Sequence, residues 1–119
     1  AAGGSLQSSM KSVILDVFNA AKSTLSSKKG YFDLFGVDLL LDDTLKLHLL
    51  EVNTNPALHL DNKVLEDLLP PMVKGALTLV LDAHGHNDST DDNQVEEEAP
   101  PPTGFDLLYD ERNGYQWAP

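Results

Sequence analysis

From position 10 the chain places apolar side chains at Met10, Val13, Ile14, Val17, Phe18, Ala21 and Leu25, the three-and-four spacing of one helical face. Ser9 is the expected N-cap of this helix, and its end is expected near 26–29, with Gly30 just beyond. The pattern then changes period. The runs YFDLFGVDLLL (31–41) and LKLHLLEVN (45–53) are apolar at almost every position, interrupted chiefly by Lys46 and His48 and separated by a turn around Asp42-Asp43-Thr44. Two such runs flanking a short polar turn predict a β-hairpin. Strands apolar on both alternations are expected to be covered on both faces. Asn55-Pro56 breaks the chain. After Asp61, a candidate cap, Val64, Leu65, Leu68 and Leu69 predict a second helix. Pro70-Pro71 is expected to end or kink it, with Met72, Val73, Ala76, Leu77, Val80 and Leu81 continuing as a further helical segment.

Helices around one antiparallel hairpin give an α+β class. As a domain these elements are incomplete. An isolated hairpin is marginal in water, and two or three helices cannot cover two apolar faces and also supply neighbours at both sheet edges. The expectation is the closing portion of a larger α+β enzyme domain, on a chain whose first residue is Ala1 rather than Met.

Charge divides the chain further. The net charge of −11 over 119 residues is unevenly spread. Residues 1–81 hold seven Lys and nine acids, whereas 82–119 hold ten acids and only Arg112. Such a balance disfavours nucleic acid and anionic membrane surfaces as partners. No apolar run approaches the roughly 20 residues of a membrane span, and no signal peptide or lipidation motif is visible. The absence of cysteine removes disulfides, thiolate nucleophiles and cysteine zinc sites. The organisation expected is therefore a flexible lead at 1–9, a domain portion at 10–83 and an acidic, mostly disordered tail at 84–119. Within the tail, 84–104 carry acidic and proline runs that cannot offset their ordering entropy. The late cluster Phe105, Leu107, Leu108, Tyr109, Tyr115 and Trp117 either docks back or serves as a short adhesive motif.

The chemistry lies in the hairpin. Glu51 and Asn53 are two residues apart and share a strand face. With a four-residue loop at 43–46, Asp38 pairs with Glu51, and all three side chains point the same way. Three hard oxygen donors with two negative charges suit Mg²⁺. Because Mg²⁺ prefers few protein ligands plus phosphate oxygens and water, the site implies a nucleoside triphosphate. The plainer alternative is that Glu51 and Asn53 merely end a strand while Asp38 faces solvent. The cost of carboxylates in a Leu-rich pair argues for the metal. In the same register His48 falls on the opposite face, which suggests a structural role. Gly36 is expected to permit a close approach. His84-Gly85-His86 with Asp88 has no rigid element to fix its spacing and is read as linker.

The stretch FDLFGVDLLLDDTLKLHLLEVNTNPAL resembles the C-terminal motif of the tubulin tyrosine ligase-like family of ATP-grasp enzymes, through Phe32, Phe35, Gly36, Asp38, Asp42, Asp43, Lys46, Leu50, Glu51, Asn53 and Pro56. TNPALHLDNKVLEDLLPPMVKGALTLVLD is most similar to the protein polyglycylase branch. The resemblance implies the C-terminal part of an ATP-grasp domain in which Asp38, Glu51 and Asn53 ligate Mg²⁺ facing the ATP phosphates. It also implies a ligase that activates a glutamate side chain, in tubulin or another Glu-rich protein, as an acyl phosphate before the amine of free glycine or glutamate attacks. The setting implied is cytoplasmic, on the cytoskeleton or the cilium axoneme. Lys46 matches the family turn but is read as a solvated turn charge. The adenine pocket, the phosphate-covering loop and the basic acceptor groove would lie upstream of residue 10, so the chain alone is expected to be inactive. Two alternatives stay open: a non-catalytic acidic interaction fragment, or another ATP-grasp ligase with a small-molecule substrate.

Overall fold

The computed structural model describes residues 5–85 and 104–119. These divide into two compact units, residues 5–56 with 107–119, and residues 57–85 with 104–106. No helix among the described residues is long and apolar enough to cross a membrane.

The first unit opens with α1 (Leu6–Ala21). Its cap is Ser5 rather than Ser9: the Ser5 Oγ accepts from the Ser8 N–H at 3.2 Å, satisfying one of the four free donors at a helix start. The helix also ends earlier than its apolar spacing suggests. Thr24 donates from both its N–H and its hydroxyl to the Ala21 carbonyl, at 2.8 and 2.7 Å, and this serine- and threonine-rich stretch closes a turn instead of extending the helix. Gly30, at φ +89, lies beyond in a separate turn.

Two strands follow, β1 (Gly36–Leu41) and β2 (Leu47–Asn53), paired antiparallel. α1 packs against β2. Strand β1 starts where Gly36 passes Pro56. A Cβ on Gly36 would lie 3.0 Å from the Pro56 Cβ, which is the close approach expected of this glycine.

The unit closes with a second small hairpin, β3 (Tyr109–Asp110) and β4 (Tyr115–Gln116). Its turn is held by Asp110, whose carboxylate accepts from the Arg112 backbone N–H and guanidinium at 3.0–3.2 Å. These bonds hold the Asp110 carboxyl below the usual carboxylate range. The hairpin docks on α1. The Tyr109 ring meets Phe18 at a centroid distance of 5.1 Å, the Lys22 ammonium sits 4.8 Å from the Tyr109 centroid, and Lys11 sits 5.6 Å from that of Trp117. The late aromatic cluster therefore folds back. Of the segment 84–119 expected as tail, 86–103 lie outside the described residues, as do 1–4 of the expected lead.

The second unit is built on α2 (Lys63–Gly85), which runs unbroken through Pro70 and Pro71. Its cap is Asn62, not Asp61: the Asn62 Oδ1 accepts from the Leu65 N–H at 3.0 Å. Proline fits helical φ, but it removes the bond to the carbonyl four residues back and its ring crowds that carbonyl; the helix passes the pair without ending there. Leu58 and Leu60 flank α2 and form with Val73, Leu77 and Leu81 an open apolar groove of about 580 Å³. Gly75 is buried where the Phe105 ring lies against the helix; a Cβ there would stand 2.6 Å from the Phe105 Cε2.

Burial is sparse. Among the described residues only Leu15 is a buried hydrophobic residue, while Leu40, Leu41, Leu49, Leu50 and Val52 of the hairpin are all exposed. Among the described residues, the double coverage expected for these strands is not found.

Candidate functional site

Strand β1 delivers Asp38 directly opposite Glu51 on β2, and Gly36 opposite Asn53. Residues facing each other across a ladder share a face, and so do residues two apart on one strand. Asp38, Glu51 and Asn53 therefore converge, as the sequence suggests. All three are exposed. The Asn53 Nδ2 donates to the Glu51 Oε1 at 3.1 Å; with the nitrogen so engaged, the amide oxygen is the end left to meet a cation. Neither carboxylate is in a salt bridge among the described residues. Two like charges opposed across a ladder, about 4.5–5.5 Å apart at their Cα atoms, destabilise a hairpin unless a cation joins them.

The route to this pairing differs from the one the sequence suggests. The loop takes five residues, 42–46, because Leu41 already pairs with Leu47, Leu40 with His48 and Leu39 with Leu49. The register then slips between Asp38 and Leu39, leaving Leu50 as an extra residue in β2. This β-bulge restores the Asp38–Glu51 pair. It also changes the place of His48. Standing opposite Leu40, His48 shares the face of Asp38 and Glu51 rather than the opposite one. Lys46 is an exposed turn residue whose carbonyl accepts from the Asp42 N–H at 3.0 Å.

Sequence reasoning missed the work of Asp42. Its Oδ1 accepts from the Thr44 and Lys46 backbone N–H groups, both at 2.9 Å, and from the Thr44 hydroxyl at 2.7 Å. Its Oδ2 meets the His48 Nε2 at 2.7 Å. An aspartate two positions before a threonine in a turn is the signal that points to such a knot. The hydrogen bond from His48, then those from the Thr44 hydroxyl and Lys46 N–H, hold the Asp42 carboxyl far below its ordinary 3.8. A carboxyl with a depressed folded pKa stabilises fully above its unfolded value and loses that contribution as pH falls through the folded one. The turn is thus expected to persist at pH 3, with the Lys46 amide resonance unmoved from its neutral position. A shift of that resonance centred near pH 4 would show that the carboxylate does not hold the loop.

The His84 of the histidine-rich stretch lies in the last turn of α2, which ends at Gly85, while His86 and Asp88 lie outside the described residues. Among the described residues no three His, Cys, Asp or Glu side chains gather closely enough to hold a metal by themselves.

Comparison with known proteins bears on the same stretch. The model of the tubulin-tyrosine ligase family matches residues 4–89. The chain is 47% identical over 77 residues to the inactive polyglycylase TTLL10 of Homo sapiens, covering 65% of this chain and 11% of that protein. It is 48% identical over 73 residues to the protein polyglycylase TTLL10 of Macaca fascicularis, covering 61% and 12%. A more distant relative, the probable alpha-tubulin polyglutamylase Ttll1 of Tetrahymena thermophila, is 24% identical over 102 residues, covering 86% and 25%. No solved structure matches. The chain spans about a tenth of the length of the polyglycylases it matches. With the family match extending over most of its residues, including the whole β1–β2 hairpin, the chain belongs to the tubulin-tyrosine ligase family.

Proposed function

We propose that this chain carries the C-terminal part of the ATP-grasp domain of a ligase that joins glycine, or glutamate, to glutamate side chains of tubulin or another Glu-rich protein. The observation that carries this reading is the opposed pair Asp38 and Glu51, with Asn53 hydrogen-bonded beside them. The donor set is hard, anionic and exposed, which suits Mg²⁺ and leaves room for phosphate oxygens. Asp38, Glu51 and Asn53 would hold the ion, which when bound offsets charge at a transferring phosphoryl group. The chain's own part is to orient. Strand pairing fixes the two carboxylates against each other, and the Asn53–Glu51 hydrogen bond turns the amide oxygen outward.

The names of the relatives support glycine or glutamate as the amino acid added. On this reading ATP is a substrate whose γ-phosphoryl group passes to the acceptor carboxylate, the β–γ anhydride bond breaking to release ADP and leave an acyl phosphate. The amine of the incoming amino acid then attacks that carbonyl, phosphate leaves, and an isopeptide bond remains. The place of action is the tubulin cytoskeleton of the cytoplasm and cilium axoneme. The human relative named inactive and the macaque relative named a polyglycylase are almost equally similar over this stretch. Similarity here does not by itself carry activity, so the parent enzyme must be assayed.

The test incubates the full-length parent with tubulin, ATP, Mg²⁺ and labelled glycine or glutamate, and reads label on tryptic peptides. ATP-dependent label on glutamate side chains is expected. Label on no protein in either case would overturn the ligase reading, and label on a small molecule alone would transfer it to that alternative.

A further inference from the structure

The knot around Asp42 has a consequence for the register of the whole hairpin. Two pairings of the outer half are compatible with Asp38 opposite Glu51. In one, a four-residue loop at 43–46 and an unbroken ladder set Asp42 opposite Leu47, Leu40 opposite Leu49 and Leu39 opposite Leu50. In the other, the one observed, the loop has five residues and Leu50 bulges out. A one-residue slip exchanges the faces of a strand, so the two pairings send His48 to opposite faces of the sheet.

Hydrogen bonding discriminates between them. In the observed pairing the Asp42 carboxylate gathers the Thr44 and Lys46 N–H groups and the Thr44 hydroxyl, and the Asp42 carbonyl accepts from the Leu45 N–H at 3.0 Å. Leu45 is held at φ +62, a conformation a leucine seldom adopts unless its surroundings impose it. His48, opposite Leu40, reaches across to the second carboxylate oxygen at 2.7 Å. In the unbroken ladder Asp42 would itself be a strand residue opposite Leu47, and His48 would lie on the other face, out of its reach. A bulge re-aims the side chains next to it, and the residue following Leu50 is Glu51.

We propose that Asp42, clasped to His48, is the positioning residue of this hairpin: it selects the bulged register and thereby aims Glu51 and Asn53 at the cation that Asp38 and Glu51 share. The register half stands on the hairpin geometry alone, and the aiming half rests on the metal reading above. Neither Asp42 nor His48 is among the proposed ligands, and their effect would be transmitted through the backbone of the hairpin.

The experiment uses the full-length parent in four forms, wild type, Asp42→Ala, His48→Leu and Asp42→Asn, the last a conservative variant that keeps an oxygen acceptor in the turn. Register is read from cross-strand NOEs, and aim from Mn²⁺-induced line broadening at Asp38, Glu51 and Asn53. The wild type is expected to show Leu39–Leu49 contacts. Asp42→Ala and His48→Leu are expected to exchange these for Leu39–Leu50 contacts and to weaken Mn²⁺ binding about tenfold, the lower end of outer-partner effects. Asp42→Asn is expected to retain the bulge in most molecules. Retention of Leu39–Leu49 contacts in both Asp42→Ala and His48→Leu overturns the proposal whatever the metal does. A changed register with unchanged Mn²⁺ broadening overturns the aiming role. Should wild type itself show no broadening, the metal reading and the aiming role fail together, and the NOEs still decide the register. Should Asp42→Ala unfold, His48→Leu, which leaves the turn bonds in place, decides the same question.

Discussion

Asp38→Ala or Glu51→Ala in the full-length parent is expected to reduce ATP-dependent ligation to background while leaving the fold intact. The two effects separate because the side chains are exposed. Truncating an exposed side chain opens no cavity, so the stability change should stay within about 0.5 kcal/mol, the range of ordinary surface substitutions. The sign can even favour the variant, since removing one carboxylate relieves the repulsion across the ladder. Catalysis depends on the same charge differently. A group that stabilises charge only as it develops at the reacting phosphoryl contributes to the rate and not to folding, and losing one such stabiliser costs on the order of 10²–10³-fold in turnover. The measurement is steady-state ligation beside a thermal melt of each variant. Near-normal turnover in either would remove the metal assignment, whereas a melt lowered in step with the activity would show that the carboxylates serve the fold instead.

Residues 1–119 alone are expected to bind Mg-ATP weakly and to lack a sharp cooperative melt. Leu40, Leu41, Leu49, Leu50 and Val52 of the hairpin are exposed, and each unburied leucine forgoes roughly 1.5–3 kcal/mol. Several such losses are comparable to the roughly 5–15 kcal/mol that holds a whole domain. The two-stranded sheet also has unpaired edges among the described residues, which invite association between chains. Three exposed donors on one hairpin leave most of an Mg²⁺ shell and all of a nucleotide to solvent. Calorimetry on the chain, with sedimentation to establish its state of association, gives the answer. Tight Mg-ATP binding by a monomer with one sharp transition would make the hairpin a self-sufficient nucleotide module.

How far the sequence revealed this arrangement depends on which force acted at each position. Apolar periodicity located both helices and the hairpin, because burial, however partial, follows side-chain spacing. The Gly36 approach was legible from a glycine set in an apolar strand, whereas the Asp38–Glu51 pair was expected through a four-residue loop that the chain does not form. Element ends were not legible, because short-range hydrogen bonds decide them. Ser5 and Ser9 offer the same hydroxyl, as Asp61 and Asn62 offer similar side chains, and only the folded chain shows which oxygen meets a free N–H. Periodicity is blind to the bulge at Leu50, since the five-residue loop and the slip cancel at Asp38 and Glu51 and differ only between them. The return of Tyr109 onto Phe18 and of Trp117 onto Lys11 joins positions 91 and 106 residues apart, a distance at which no local pattern carries information.

That return gives the chain a built-in optical reporter of narrow scope. Trp117 is the one tryptophan in the sequence, it is half-buried beside the Lys11 ammonium, and its backbone N–H donates to the Leu108 carbonyl at 2.9 Å. Intrinsic indole emission therefore registers whether the C-terminal hairpin rests on α1, and is silent on the strands that carry Asp38 and Glu51. A denaturation curve followed by fluorescence and one followed by circular dichroism would measure different events in the same molecule, and their midpoints need not coincide.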